Sequence, residues 1–226
     1  MTDKVSEYIR ETRGWIERTT KDHGFGNLNE FLDYIRGKTV MDLGSGGGGL
    51  ATDLYGIQNV LVNQKTKVYS VNPRLADPLP DTDPVYDIGF LGYDKLGENV
   101  KYSDAARFLK KGREEYKKNA VAARWERLPF PNESIDLILA TGSYFFYSET
   151  YDEESFKEIM RIVKKGGEFR ASLFFNNSHF LERFRVFIER YVSPKYRATI
   201  NVTKRMREDE DGRIKEYFDG YISIIK

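Results

Sequence analysis

The sequence predicts an α/β fold in which a mostly parallel β-sheet carries helices on both faces and is closed by an antiparallel hairpin. Three observations lead to this class. Short apolar strands alternate with amphipathic helical stretches along most of the 226 residues. A glycine-rich turn at residues 44–49 joins the first strand to a helix. Two strand-like runs at the end flank Asp211 and Gly212, a dipeptide that favours a tight turn.

The composition favours a single cytoplasmic domain. A hydrophobic content of 40% in a chain of this length is enough for one core. No apolar run approaches the ~20 residues of a membrane span, and the N-terminus lacks the pattern of a signal peptide. The net charge of +1 gives no global field for nucleic acid, so we interpret the basic clusters at residues 110–113 and 204–207 as solvated surface. Without cysteine, disulfides, thiolate metal sites and a cysteine nucleophile are excluded.

The first part of the chain, residues 1–37, is predicted to be a helical cap. Apolar residues at three- and four-residue spacing predict helices over residues 5–16 and 28–35, joined by a loop at residues 23–27. We expect this cap to belong to the same domain as the rest, so that residues 1–226 form one unit.

The remaining elements follow from the same patterns, with one exception. Strands are predicted over residues 38–43, 67–71, 119–125, 135–141, 168–175, 197–207 and 213–225, and helices over residues 50–61, 103–118, 153–164 and 179–191. Residues 73–102 are rich in proline and aspartate and show no period. We interpret them as an insertion, and long irregular connections of this kind are often lids.

The glycine-rich turn indicates a ligand site. Glycine at positions 44, 46 and 48 or 49 lets the backbone bend sharply and approach a ligand closely. The same spacing also fits a dinucleotide site, but Asp42 argues against one because its carboxylate would repel a pyrophosphate at the helix N-terminus. A sulfonium ligand with a free amino group is positively charged, and Asp42 would attract it.

Three ordered segments together resemble the class I S-adenosylmethionine-dependent methyltransferases, and in particular the type 11 methyltransferases of that superfamily. They are D-L-G-S-G-G-G from Asp42, L-P-F-P-N-E-S-I-D over residues 128–136, and the helix with its basic glycine turn over residues 156–167. The resemblance implies a three-layer Rossmann-like fold whose sheet has seven strands and ends in the antiparallel hairpin. It also implies S-adenosylmethionine as cofactor.

By resemblance, the cofactor-binding residues are Asp42, Gly44, Ser45, Gly46, Gly48, Asn72, Trp125, Glu126 and Thr141. Two positions depart from the family pattern. Asn72 stands where an acidic residue usually accepts the ribose hydroxyls, and an amide accepts one of them less strongly. Arg124 stands where many relatives have an aspartate for the adenine amino group, and arginine has no acceptor. Trp125 beside it is a candidate to cover the adenine ring, and the alternative is a core aromatic.

The candidate catalytic residues are His23, Tyr144 and His179. Methyl transfer mainly requires aligned reactants, so the sequence demands no universal base. The histidines are the side chains that titrate near neutral pH. Tyr144 lies in the aromatic loop after the fourth strand and is expected to face the cofactor, whereas Phe145 and Phe146 are expected in the core. No side-chain spacing indicates a metal site.

The leading hypothesis is methyl transfer from S-adenosylmethionine to a small-molecule acceptor, with neither membrane nor nucleic acid as partner. The acceptor and the oligomeric state stay open. A second hypothesis is a non-catalytic ligand-binding or partner-binding protein that keeps the fold, because Asn72 and Arg124 would weaken cofactor binding. A third, an NAD-dependent oxidoreductase, is disfavoured by Asp42 and by the segment over residues 128–136.

Overall fold

The computed structural model describes residues 22–44, 65–71, 119–145, 152–175, 178–208 and 212–226. In chain order its elements are α1 (Leu28–Ile35), β1 (Thr39–Leu43), β2 (Lys67–Val71), β3 (Ala120–Val121), β4 (Ile135–Ala140), α2 (Glu153–Ile162), β5 (Val163–Phe175), α3 (Ser178–Phe187), a π-helical turn (Ile188–Val192), β6 (Arg197–Glu208) and β7 (Ile214–Ile225). The strands form one seven-stranded sheet in the order β3-β2-β1-β4-β5-β7-β6.

The sheet is parallel except at its end. Strands β1 to β5 pair in parallel, whereas β7 runs antiparallel between β5 and β6. The order reverses at β1, which has β2 on one side and β4 on the other. Ligands of open α/β sheets bind outside the carboxyl ends of the strands at such a point. The fold therefore directs attention to the ends of β1 and β4.

Two apolar cores lie on opposite faces of the sheet. Val40 and Leu139 face α1 and its preceding loop, whereas Met41 and Ile138 face α2 and α3. These four side chains are buried on alternating sides of β1 and β4. Burial on both faces explains why these strands are continuous apolar runs and why they form the centre of a parallel sheet.

Both ends of helix α1 are set by particular residues, a capping asparagine before it and a glycine after it. The Asn27 side chain accepts a hydrogen bond from the Glu30 amide and caps the N-terminus. The apolar residues predicted to share one face are all buried, namely Leu28, Phe31, Leu32 and Ile35. Gly37, with φ of +70°, turns the chain from α1 into β1. This short turn fixes α1 against one face of the sheet.

The sequence predicted most described elements to within a few residues, and three differ. Strand β3 has only Ala120–Val121 instead of residues 119–125, because the chain turns back on itself at Arg124 and Arg127. Strand β5 is longer than predicted and begins at Val163. The predicted helix over residues 179–191 ends as the π-helical turn. The helices predicted over residues 5–16, 50–61 and 103–118 and the insertion 73–102 lie outside the described residues.

The hairpin of β6 and β7 extends beyond the rest of the sheet. The last pair between β5 and β7 joins Phe175 to Phe218. Residues 204–208 therefore pair only with residues 214–218, and we call this two-stranded extension the ribbon. In the ribbon, Lys204 pairs with Glu216 at 2.6 Å. None of the helices in the described part of the chain is long and apolar enough to cross a membrane.

Candidate functional site

The carboxyl ends of β1, β2 and β4 are tied together by hydrogen bonds. The Gly44 amide donates to the Val71 carbonyl at 2.8 Å, so the chain leaves β1 alongside the end of β2. The buried Ser143 hydroxyl donates to the Leu43 carbonyl at 2.8 Å and links the loop after β4 to the end of β1. These two bonds hold the start of the glycine-rich turn at the reversal in strand order.

Gly44 occupies a position that other residues fit poorly. Its φ is +83°, in the left-handed region. A Cβ atom built on Gly44 would lie 2.4 Å from Cβ of Ser143 and 3.8 Å from Cζ2 of Trp125. The close packing of Ser143 against this backbone accounts for the glycine. The distance to Trp125 shows that its indole lies beside the start of the turn.

Asp42 lies near the end of β1 and is 7% exposed. In the sheet it is in register with Ser70 of β2 and Leu139 of β4. A carboxylate at this place puts negative charge close to the start of the glycine-rich turn. Such a site favours a positively charged ligand group.

Trp125 stands at the tip of a turn after β3. The Arg127 amide donates to the Arg124 carbonyl at 3.2 Å and closes the turn, which presents Trp125 and the exposed Glu126. The indole is half-buried and packs edge-on against Tyr144, with ring centroids 5.3 Å apart. Arg124 itself is exposed. Trp125 is thus placed between the core and the glycine-rich turn.

His23 lies at the end of β4 and is 1% exposed. Its Nε2 is 2.6 Å from the Thr141 hydroxyl oxygen, the first residue after β4. Burial, with a smaller effect of Arg170, lowers the pKa of His23 to about 3. The imidazole is therefore neutral at physiological pH. Its Nδ1 has no hydrogen-bond partner among the described residues.

A buried ion pair holds the His23 loop on the sheet. Arg170 of β5 donates to the His23 carbonyl at 2.9 Å and pairs with Glu168 at 2.5 Å. Its guanidinium also lies over the Phe25 ring, 4.3 Å from the centroid. Glu168 in turn accepts hydrogen bonds from the Tyr34 and Ser223 hydroxyls. This network connects the loop, α1 and two strands.

The structure corrects the expectation for Tyr144 and separates the two histidines. Tyr144 is fully buried, and its hydroxyl lies 2.9 Å from the Ser155 hydroxyl instead of facing a ligand. Burial raises the pKa of Tyr144 far above its usual value. Phe145 is in the core as predicted. His179 begins α3 and is exposed, so the described geometry brings His23, but not His179, to the end of β4.

Several of the residues that the sequence analysis singled out lie outside the described part of the chain. Phe146 and the cofactor-binding candidates Ser45, Gly46, Gly48 and Asn72 lie outside the described residues. The described candidates Asp42, Gly44, Trp125 and Thr141 surround the ends of β1 and β4.

Sequence reasoning missed two contributors to this region. Ser143 is one, and a lone serine in an aromatic loop carries no signal of its own. The pair Glu168 and Arg170 is the other. Their alternation with the apolar residues of β5 would have revealed two charged side chains on a covered face of the sheet.

Comparisons with known proteins found one family model and several solved structures that are similar to this chain. The family model described as a methyltransferase domain matches residues 90–171. A SAM-dependent methyltransferase from Aquifex aeolicus is 16% identical, with a TM-score of 0.43, and the match covers 96% of this chain and 98% of that one. The YcgJ protein from Bacillus subtilis is 10% identical, with a TM-score of 0.47 and coverage of 88% and 97%. CrArsM, an arsenic(III) S-adenosylmethionine methyltransferase from Chlamydomonas reinhardtii, is 16% identical, with a TM-score of 0.48 and coverage of 85% and 64%. No curated protein matches the sequence.

Proposed function

We propose that this chain transfers a methyl group from S-adenosylmethionine to a small-molecule acceptor. The methyltransferase-domain model that matches residues 90–171 and the order of the strands support this proposal. The observation that carries the proposal is that β1 ends at the reversal in strand order with Asp42 and Gly44, and that Trp125 lies beside Gly44.

The residues around this point fit the charge and shape of the cofactor. Asp42 supplies negative charge for a sulfonium and an amino group. Gly44 lets the backbone turn sharply at the end of β1, where the ligand is expected. The half-buried indole of Trp125 offers an aromatic face for the adenine ring. Ser45, Gly46, Gly48, Asn72, Glu126 and Thr141 remain proposed cofactor contacts by resemblance.

S-adenosylmethionine supplies a methyl group already activated on a sulfonium, so the protein has mainly to align the reactants. Alignment alone accounts for a large part of the rate of such displacements. The rigid ends of β1 and β4, joined through Ser143 and Leu43, suit that task. An acceptor with a free lone pair then needs no base from the protein.

We keep His23 in the proposed site as a neutral hydrogen-bonding group. A base with a pKa of about 3 is poorly matched to proton removal near neutral pH. Its Nδ1, which has no hydrogen-bond partner in the described part of the chain, and its position beside Thr141 suit contact with a polar group of the acceptor. We do not propose Tyr144 and His179 as catalytic residues, since Tyr144 is enclosed in the core and His179 is exposed on α3.

A ligand panel tests the function. S-adenosylhomocysteine at about 100 times its Kd should raise the free energy of unfolding by about 2.7 kcal/mol. NAD at the same concentration should give no shift. A shift with NAD alone would overturn the proposal in favour of an oxidoreductase. Binding of S-adenosylhomocysteine without methyl transfer to any compound in a broad acceptor panel would favour the non-catalytic alternative.

Asp42→Asn tests the charge at the site. The variant should bind S-adenosylmethionine about tenfold more weakly, because a charge-assisted contact is lost. Asp33→Asn is the matched control, since it removes the same charge from an exposed ion pair on α1. Calorimetric titration measures both variants. Equal affinities for Asp42→Asn and wild type would remove Asp42 from the site.

A further inference from the structure

Helix α2 makes an unusual set of contacts with the segment that follows the Trp125 turn. Leu128, the residue immediately after the turn, is held at both polar atoms of its backbone. Its amide donates to Glu158 Oε1 at 2.8 Å, and its carbonyl accepts from Arg161 Nη2 at 3.1 Å. Glu158 and Arg161 also pair with each other at 2.7 Å. We call these two side chains the clamp.

The clamp reaches further along the same segment. Arg161 Nη1 donates to the Phe130 carbonyl at 2.9 Å and to the Asn132 side chain at 2.7 Å. The Glu133 amide donates to the carbonyl of Arg161 at 3.0 Å. One guanidinium therefore satisfies carbonyl groups that no strand partner satisfies. The planar fork of arginine allows these simultaneous bonds, which a lysine would not make.

The clamp is linked to the proposed ligand site through the Arg124–Arg127 turn. The Arg124–Arg127 turn ends one residue before Leu128, so fixing Leu128 fixes one end of the turn. The other end follows the two-residue strand β3, which gives little support. Trp125 at the tip of this turn lies beside Gly44.

We propose that Glu158 and Arg161 are positioning residues for the cofactor: by holding Leu128, they fix the turn that places Trp125 beside the glycine-rich turn. This inference rests on the proposed function, in which Trp125 covers the adenine ring. The alternative is that the packing of Trp125 on Tyr144 and the burial of Leu128 are sufficient to fix the turn.

The chain allows a direct spectroscopic test because it contains only two tryptophans, Trp15 and Trp125. In a Trp15→Phe background, the emission of the protein reports Trp125 alone. Arg161→Met should shift the emission to longer wavelength and make the indole more accessible to a quencher. Arg161→Met should also lower the affinity for S-adenosylhomocysteine about tenfold, because loss of one stacking contact between a base and an aromatic ring has an effect of this size.

Three further variants distinguish a positioning role of the clamp from an effect of its charge and from a general loss of stability. Arg161→Lys keeps the positive charge but loses the planar guanidinium, so its emission and its affinity for S-adenosylhomocysteine should be close to those of Arg161→Met. Glu158→Gln keeps an acceptor for the Leu128 amide and should have a smaller effect on both measurements. Lys157→Met is the control, since it breaks an exposed ion pair with Glu153 on the same helix and should change neither measurement.

The outcomes are distinguishable. Should Arg161→Met fail to fold, Arg161→Lys and Glu158→Gln carry the test, with folding checked by circular dichroism. Unchanged emission and affinity in folded Arg161 variants would overturn the inference and leave the proposed function intact. Absence of S-adenosylhomocysteine binding in the wild type would overturn the proposed function, and with it the cofactor part of the inference.

Discussion

Gly44 and Gly37 have similar left-handed backbones but different surroundings. Their φ values are +83° and +70°. A Cβ atom on Gly44 would overlap Ser143, whereas one on Gly37 would meet nothing within 4 Å. The two positions therefore separate the cost of backbone strain from the cost of a steric clash.

Alanine at each position should give different losses of stability. Gly37→Ala should lower the free energy of unfolding by about 1 kcal/mol through strain alone. Gly44→Ala should cost roughly 2–4 kcal/mol, since Ser143 must also move. Urea denaturation measures both. If both variants lost the same free energy of unfolding, backbone strain alone would explain the glycine at position 44, and the packing of Ser143 would not contribute.

His23 should make stability depend on pH in a defined direction. Its folded pKa of about 3 lies below the ordinary histidine value of 6.5, so the unfolded chain binds a proton more readily. The contribution of the neutral imidazole is therefore fully present above about pH 6.5 and is lost as the pH falls toward 3. Between about pH 7.5 and pH 5 the loss should be about 2 kcal/mol.

The test compares denaturation curves across that pH range. His23→Gln should lose less stability on acidification than the wild type. His179→Gln removes the other histidine of the chain, which is exposed, and should follow the wild type. Parallel behaviour of His23→Gln and wild type would contradict the assignment of the pH dependence to His23.

At the scale of single residues, the sequence predicted backbone geometry better than the surroundings of side chains. The glycine-rich turn was recognisable because a left-handed backbone needs glycine, as at Gly44. The environments of Tyr144 and His23 were not, because burial of a side chain depends on contacts with distant segments. His23 and Thr141 are separated by 118 positions in the sequence, and no local pattern encodes their hydrogen bond.

Among the elements, β5 combines an apolar face with a charged one. Arg170 and Glu168 are buried beneath α1 and its preceding loop, and their side chains are 16% and 6% exposed. Arg170→Met would leave the carboxylate of Glu168 buried without its cation. Removal of one partner from a buried pair typically costs about 3–5 kcal/mol.

A double-mutant cycle checks this value. Arg170→Met should be strongly destabilising in urea denaturation, and Arg170→Met combined with Glu168→Gln should lose less than the sum of the single changes. Arg185→Met is a suitable control because its pair with Glu182 on α3 is exposed on both sides. Exposed pairs contribute about 0–1 kcal/mol. Additive effects of the two β5 substitutions would contradict the coupling.

Element boundaries show where sequence patterns stop being informative. Strand β2 ends as predicted because its apolar pattern matches its pairing with β1. Strand β5 begins earlier than its pattern indicates, since Gly166 and Gly167 interrupt the pattern but still bond to Lys226. Strand β3 is shorter, because the chain turns back on itself at Arg124 and Arg127. These differences arise from tertiary contacts rather than from local preference.

For the whole molecule, the strand order predicts a gradient of local stability. Strands β1, β4 and β5 have hydrogen-bonded neighbours on both sides, whereas among the described strands the two strands of the ribbon pair only with each other. Amide hydrogen exchange should therefore be slowest in β1, β4 and β5 and markedly faster at residues 204–208 and 214–217. Ribbon amides as protected as those of β4 would indicate an additional contact on this surface.

The position of β7 has a consequence for the order in which the protein is assembled on the ribosome. Strand β6 leaves the ribosome before β7, yet β7 is its neighbour in the sheet and separates it from β5. Until β7 is synthesised, β5 presents an unpaired edge, and nascent β6 has no strand to join. Unpaired edges invite contact with other chains. Between the synthesis of β6 and that of β7, the nascent sheet therefore has an open edge at β5 that is available to other chains.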